Sequence, residues 1–176
     1  MSDADPDAFR RAAGQFAGGI VVVTTSAGYA MTVSEFVSVS LEPPLVLFCA
    51  EKIARDHDAV VAAGSWAVSI LAADAEKTAR RLDRVAQLDG VAHRPGPVTG
   101  APLLDGALAT MECVTDAVHD GGDHTIIIGR VAAVTRPPGA DQGNPLVHYA
   151  GTYRHLRPLL GKPVSAPLRR CGPGPS

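Results

Sequence analysis

The stretch YAMTVSEFVSVSLEPPLVLF, residues 29–48, alternates apolar and hydroxyl side chains and then becomes a continuous apolar run. Strand side chains point alternately to the two faces of a sheet. With that period, Val33, Glu35, Val37, Val39 and Leu41 share one face, and Thr32, Ser34, Phe36, Ser38 and Ser40 share the other. The spacing predicts a strand over 32–40. A strand packed only against its own core carries larger apolar residues on its inner face, so a row of small hydroxyls points to something else lying there. The plainer reading is a half-exposed edge strand, where Ser and Thr are common.

The neighbouring segments extend this into a fold. Upstream, IVVVTT is short and β-branched, and SAGY is a tight turn, so residues 20–40 read as a β-hairpin. Further upstream, Asp5 suits an N-cap, Pro6 suits a first helical position, and Phe9, Ala13 and Phe16 recur at helical spacing before Gly18 and Gly19. Downstream, EPP breaks the chain and LVLFCA reads as a central strand. A short helix follows at about 56–63, with Asp56 as N-cap and Gly64 as its stop. SWAVSIL is a strand, and Asp74 opens a helix to about Arg84. Residues 85–104 lack periodicity and read as a long loop. GALATMECVTDAVHD and DHTIIIGRVAAVTR are two long strands joined through Gly121 and Gly122, and PLVHYAGTYRHL ends the fold. About six or seven strands, mostly in hairpins, against three short helices predict a mainly β protein, an antiparallel barrel with peripheral helices. The expected organisation is one domain over 1–160 and a Pro/Gly-rich, disordered tail over 161–176.

Composition excludes several classes. The chain has 176 residues, 46% hydrophobic and 19% charged, enough for one domain with its own core. A net charge of −2 without a basic block argues against nucleic-acid binding. No apolar run reaches the roughly 20 residues of a membrane helix. The start, MSDADPDAFRR, is acidic and unlike a signal peptide, so a cytoplasmic protein is expected. Three scattered cysteines, Cys49, Cys113 and Cys171, fit neither a disulfide framework nor a thiolate metal site. Cys49 and Cys113 read as small buried hydrophobes.

The familiar catalytic signatures are absent: no G-x-S-x-G, P-loop, H-E-x-x-H or G-x-G-x-x-G occurs, and no pair of the six histidines has helical metal spacing. Three local features remain. The first is the hydroxyl strand itself. In the second, EKIARDHDAVVAAG, Lys52 and Arg55 precede a helix start, where free N–H groups and the helix dipole favour an anion. It reads equally as a capped helix with surface cations. In the third, HDGGDHTIIIGRV, His124 sits where a glycine turn enters an apolar strand and can aim into a cleft. It reads equally as a turn histidine paired with Asp123 or Asp120.

Taken together, FRRAAGQFAGGIVVVTT, MTVSEFVSVSLEPPLVLF, HDAVVAAGSWAVSIL, GDHTIIIGRV and PLVHYAGTYRHL resemble, in order, the short-chain flavin reductases, the reductase components of two-component flavin monooxygenases. The resemblance implies an antiparallel split β-barrel that binds FMN or FAD, uses NADH or NADPH, forms a homodimer and hands reduced flavin to a partner monooxygenase. It implies that Met31, Thr32, Val33, Ser34, Ser38 and Ser40 line the flavin, and that Ala50, Lys52 and Arg55 belong to the loop that holds its phosphate. His124 then borders the nicotinamide as the candidate catalytic residue, with Tyr149 beside the nicotinamide or substrate. Hydride passing directly between two cofactors needs orientation more than acid–base side chains.

The chain also departs from that family's pattern. Glu35 and Val37 replace a serine and a threonine of the hydroxyl strand. Ala54 and Asp56 replace the two hydroxyls of an S-x-T-H-D phosphate loop. Gly18 stands where a threonine is common. These changes allow a second expectation, a barrel without flavin reduction that isomerises or cyclises a flat apolar substrate, with His124, Tyr149 and Glu35 as polar groups. A third is a module that binds a ligand without turnover.

Overall fold

The hydroxyl-rich segment is two strands rather than one. The computed structural model describes residues 3–85, 87–139 and 143–156. Its elements are α1 (Pro6–Ala13), β1 (Gly18–Gly19), β2 (Val21–Thr24), β3 (Ala30–Val33), β4 (Phe36–Leu41), β5 (Pro44–Glu51), α2 (His57–Ala62), β6 (Ser65–Ile70), a 3-10 turn (Ala73–Ala75), α3 (Glu76–Leu82), β7 (His93–Pro95), β8 (Pro102–Leu104), β9 (Ala109–Gly121), β10 (His124–Thr135), β11 (Leu146–Tyr149) and β12 (Thr152–His155). The expected tail over 161–176, with Cys171, lies outside the described residues.

The predicted hairpin over 20–40 holds only for β2 and β3, which pair from Val21 against Val33 to Thr24 against Ala30. The ladder then runs out of partner. Ile20, just before β2, turns away and donates its N–H to Leu146 O at 3.0 Å. The chain breaks at Ser34 and Glu35 and re-enters as β4 against β5, with Phe36 opposite Phe48 and Val37 opposite Leu47. The break also shifts the side-chain phase. Val33 is 4% exposed, and Phe36, an odd number of residues on, packs on the same core. The expected valine face therefore points outward: Val37, Val39 and Leu41 are 52%, 47% and 80% exposed.

The break closes the fold. The main sheet has seven strands in the order β3-β2-β6-β9-β10-β5-β4, all paired antiparallel. Its first and last strands are joined by only Ser34 and Glu35. Three Cα steps from Val33 to Phe36 span roughly 11 Å at most, so the two edge strands meet at one corner and the sheet curls round into a barrel without a β3–β4 ladder. Cys49 N donates to Glu35 O at 3.1 Å, which carries the β4–β5 pairing one residue beyond Phe36 into this seam. A second sheet, β1-β11-β12, and the small β7-β8 hairpin pack outside.

The barrel interior is filled by alternate residues, Val21 and Val23 of β2, Val46 and Phe48 of β5, and Trp66. Phe48 and Trp66 meet edge-to-face at 4.9 Å. Gly129 makes room for that indole, because a Cβ there would lie 2.3 Å from Trp66 Cζ2. The other face of β2, with Ile20 and Val22, packs with Leu71, Leu82 and Leu146 beneath α3. So IVVVTT is apolar on both sides because both sides are buried. LVLFCA lies between β4 and β10, one strand from the end of the sheet order.

Several boundaries differ from expectation. Asp5 does cap α1, accepting from Ala8 N at 3.2 Å, but α1 buries no residue, and Phe9 and Phe16 are 67% and 86% exposed. Gly18 and Gly19 do not end that helix. They form β1 and pair with His148 and Val147. Asp74 lies in the 3-10 turn, and α3 begins two residues later. The segment 85–104 contains β7 and β8. The buried Glu112 carboxylate holds their turn by accepting from Val98 N, Thr99 N and Thr99 Oγ1 at 2.9, 2.6 and 2.9 Å. No helix among the described residues is long and apolar enough to cross a membrane.

Candidate functional site

Two ladders bring the predicted loop and the predicted histidine together. β5 ends beside the start of β10, with Ala50 opposite Thr125 and Glu51 opposite His124. Lys52 N donates to Asp123 O at 2.9 Å, extending the contact past the last ladder pair. On the other side of β5 lies the Ser34–Glu35 seam. The seam, the end of β5 and the start of β10 thus form one rim of the barrel, with α2 leading away from it.

His124 is one-third exposed on this rim. Its Nδ1 lies 2.7 Å from Asp123 Oδ1, the turn pairing that the sequence also allowed. The histidine beside it holds the Asp123 carboxyl below the usual carboxylate range. With Nδ1 engaged, Nε2 is the ring nitrogen left for a ligand. Lys52 is not a free cation. Its Nζ donates to Asp120 Oδ1, and to Gly122 O at 2.7 Å. That pairing lowers the Asp120 pKa.

The loop that continues to α2 is tied to the same hairpin at its far end. His57 Nε2 lies 2.8 Å from Thr125 Oγ1, and its Nδ1 lies 2.8 Å from Asp58 Oδ1. Arg55 is exposed. Asp56 occupies the N-cap position of α2 but makes no cap hydrogen bond, and it is 7% exposed. Burial raises its pKa, with Arg55 opposing. Ala54 packs on the barrel core.

The other predicted residues are dispersed. Met31, Val33 and Ala50 are core side chains, so only their backbone can meet a ligand. Thr32 Oγ1 is buried without a hydrogen-bond partner, on the strand face shared with Val22. Ser34 Oγ donates to Glu35 Oε1 at 2.8 Å, which leaves the Glu35 carboxylate paired and in solvent. β1 presses on this seam: a Cβ at Gly18 would lie 3.0 Å from Ser34 O. Ser38 is exposed and lies opposite Val46, about 13 Å down the strand from Ala50 at the usual rise. Ser40 Oγ accepts from Glu42 N at 3.2 Å, further down. Tyr149, on the second sheet, donates to Gln15 Oε1 at 2.8 Å.

The Lys52–Asp120 and His57–Thr125 ties were not foreseen, because their register depends on the β5–β10 pairing and not on any local motif. Neither described cysteine offers a thiolate. Burial, and then Glu112, push Cys113 up to about 12, and burial followed by Glu35 raises Cys49. Among the described residues no cluster of His, Cys, Asp or Glu is placed to hold a metal ion.

This rim is an open shelf with two held imidazoles, His124 on Asp123 and His57 between Asp58 and Thr125, of which His124 alone keeps a ring nitrogen for a ligand. Its donor set fits the flat, neutral part of a ring cofactor. It offers little to a phosphate, since Lys52 is already paired and Asp56 sits in the loop.

A curled antiparallel barrel with such a rim is the architecture of a flavin-handling split barrel, and the chain belongs to the family of the flavin reductase like domain, whose family model matches residues 13–157. It is 37% identical over 170 residues to the reductase subunit HsaB of a flavin-dependent monooxygenase from Mycobacterium tuberculosis, covering 91% of this chain and 87% of that one. It is 42% identical over 157 residues to an NADH-dependent FAD reductase of Streptomyces globisporus, covering 85% of each. The solved NADH:FAD oxidoreductase of that organism, in complex with NAD and FAD fragments, superposes with a TM-score of 0.81 at 38% identity, covering 92% of this chain and all of that one.

Proposed function

We propose that this chain is an NADH-dependent flavin reductase that supplies reduced flavin to a partner monooxygenase. The observation that carries the reading is the rim itself, where two ladders set the Ser34–Glu35 seam, the end of β5 and the Asp123-held His124 side by side. The bound flavin and nicotinamide supply the redox chemistry. The protein has to hold two flat rings in register and keep the site polar enough to orient them. Backbone at Met31–Ser34 and Ala50 forms the wall for the flavin ring, and His124 Nε2 faces the nicotinamide. Asp123 fixes the imidazole orientation. Ser38, Ser40 and Tyr149 are kept as contacts for the outer parts of the ligands, reached along β4 and from the second sheet. No observation favours the non-redox reading.

A homodimer is part of the proposal. On the outer face of the barrel, Val37, Leu47 and Ile128 stand in register across β4, β5 and β10, with Leu41 and Val39 exposed beside them. A contiguous apolar strip on a barrel exterior supports cover by a second copy. A protein drawing on the cell's NADH belongs in the cytoplasm. The test is to add FMN or FAD and then NADH to the purified protein and follow the absorbance of the reduced nicotinamide. Oxidation that requires both protein and flavin is expected. Absence of oxidation with either flavin would falsify the reading.

A further inference from the structure

We infer that His57 is a positioning residue: by holding Thr125 it fixes the flavin wall at Ala50 and the nicotinamide side at His124 relative to each other, so that each ligand strengthens the binding of the other. The inference rests on the reductase site proposed above and deepens it.

Thr125 stands between the two ligand positions. Across the ladder it is opposite Ala50, and along the chain it follows His124. Trans peptides hold adjacent Cα atoms about 3.8 Å apart, so Thr125 and His124 cannot shift separately. Thr125 is buried, and its hydroxyl oxygen lies 2.8 Å from His57 Nε2. The chain leaves β10 after Lys52 N, which donates to Asp123 O at 2.9 Å, and returns to it through this imidazole. Two tight turns run between the ties, closed by Ala54 N on Glu51 O and His57 N on Ala54 O at 3.0 and 3.1 Å. Ala54 and Val60 pack on the barrel core, but apolar packing is non-directional and leaves sliding along the strand open. The His57–Thr125 hydrogen bond removes that freedom. The other ring nitrogen, Nδ1, lies 2.8 Å from Asp58 Oδ1, so the imidazole is held from both sides. The Thr125 hydroxyl can donate or accept, and the tie therefore holds whichever tautomer the ring adopts. With the tie in place, the first ligand to bind orders the strand ends for the second, and the second binds more tightly.

The experiment measures Kd for FMN and for FAD on the full chain by fluorescence quenching, with and without saturating NAD+, which carries no hydride to give. NAD+ should tighten flavin by about fivefold or more in the unaltered protein. Thr125→Val keeps the side-chain shape and removes the hydroxyl. The tightening should then fall to about twofold or less, the part that ring stacking supplies alone. Thr125→Ser keeps the hydroxyl and should keep the linkage, which a packing role for Thr125 would not allow. His57→Ala should lose the linkage too, and the double variant should lose no more than either single change, because both residues act through one bond. A variant that failed to fold would lose flavin quenching outright, and the other single variant then decides. Linkage that survives in Thr125→Val, is missing from the unaltered protein or is lost equally in Thr125→Ser overturns the inference. The expected pattern without NADH oxidation would uphold the tie and sink the reductase reading. NADH oxidation with linkage indifferent to His57 and Thr125 would do the reverse. No quenching by either flavin would remove both.

Discussion

His124 is oriented before any ligand arrives. Its Nδ1 is held by Asp123 at 2.7 Å, and a fixed ring presents Nε2 in one direction. Replacing His124 by Ala is expected to raise KM for NADH about tenfold while flavin Kd stays within about twofold, because the contact belongs to one ligand only. Equal loss for both ligands in a steady-state and quenching comparison would remove His124 from the nicotinamide side. Gly129 is constrained differently. A Cβ there would lie 2.3 Å from the Trp66 ring, which is fully buried and donates to Thr115 Oγ1 at 3.1 Å. Gly129→Ala should cost about 2–3 kcal/mol, read as a lower midpoint in urea, since a packed indole has no open direction in which to retreat. The His124–Asp123 pair was legible in the sequence because its members are neighbours. Lys52–Asp120 was not, since 68 residues separate the partners and only the β5–β10 register joins them.

α2 shows how one residue can work against its own element. Asp56 takes the N-cap position but buries its carboxyl without a cap bond. Burial raises its folded pKa above the unfolded value, so the native state binds the proton more tightly. Stability then falls as pH rises from the unfolded carboxylate pKa through the raised folded one, and the loss persists at neutral pH. Asp56→Asn keeps the shape and removes the charge. It should stabilise the protein at neutral pH by about 1 kcal/mol, with the advantage vanishing as pH falls through that window. Thermal midpoints measured across acidic to neutral pH decide it, and a constant difference at all pH values would place the effect elsewhere. The strand at 32–40 misled for a related reason. Its alternation continues across Ser34 and Glu35 even though the chain changes partner there, and periodicity records side-chain phase, not pairing. β7 and β8 were invisible because three residues each cannot show a period, and Glu112 holds their turn from a distant strand.

At the scale of the molecule, the antiparallel, mainly β barrel was legible from the hairpins, but the point at which its sheet turns back on itself was not. It depends on β3 and β4 being chain neighbours at opposite ends of one sheet order. The valine face was visible too, but what covers it was not. Sequence pattern marks a face as apolar without saying whether the same chain or a second copy covers it. Val37, Leu47 and Ile128 form that face in register, and Cys49 and Ile126 continue it one row along. Changing Leu47 and Ile128 to Lys places two charges on the strip without touching the barrel interior, where Val46, Phe48 and Ile127 point the other way. The expected result is a change from dimer to monomer by light scattering, with the far-ultraviolet spectrum and cooperative unfolding retained. Flavin quenching should weaken in the same variant by about tenfold if the open shelf gains a wall from the second copy, because a half-walled shelf buries less of the ring. A native protein that is already monomeric would end the dimer proposal. The strip would then need another cover, and a flat ring would have to be held by this shelf alone.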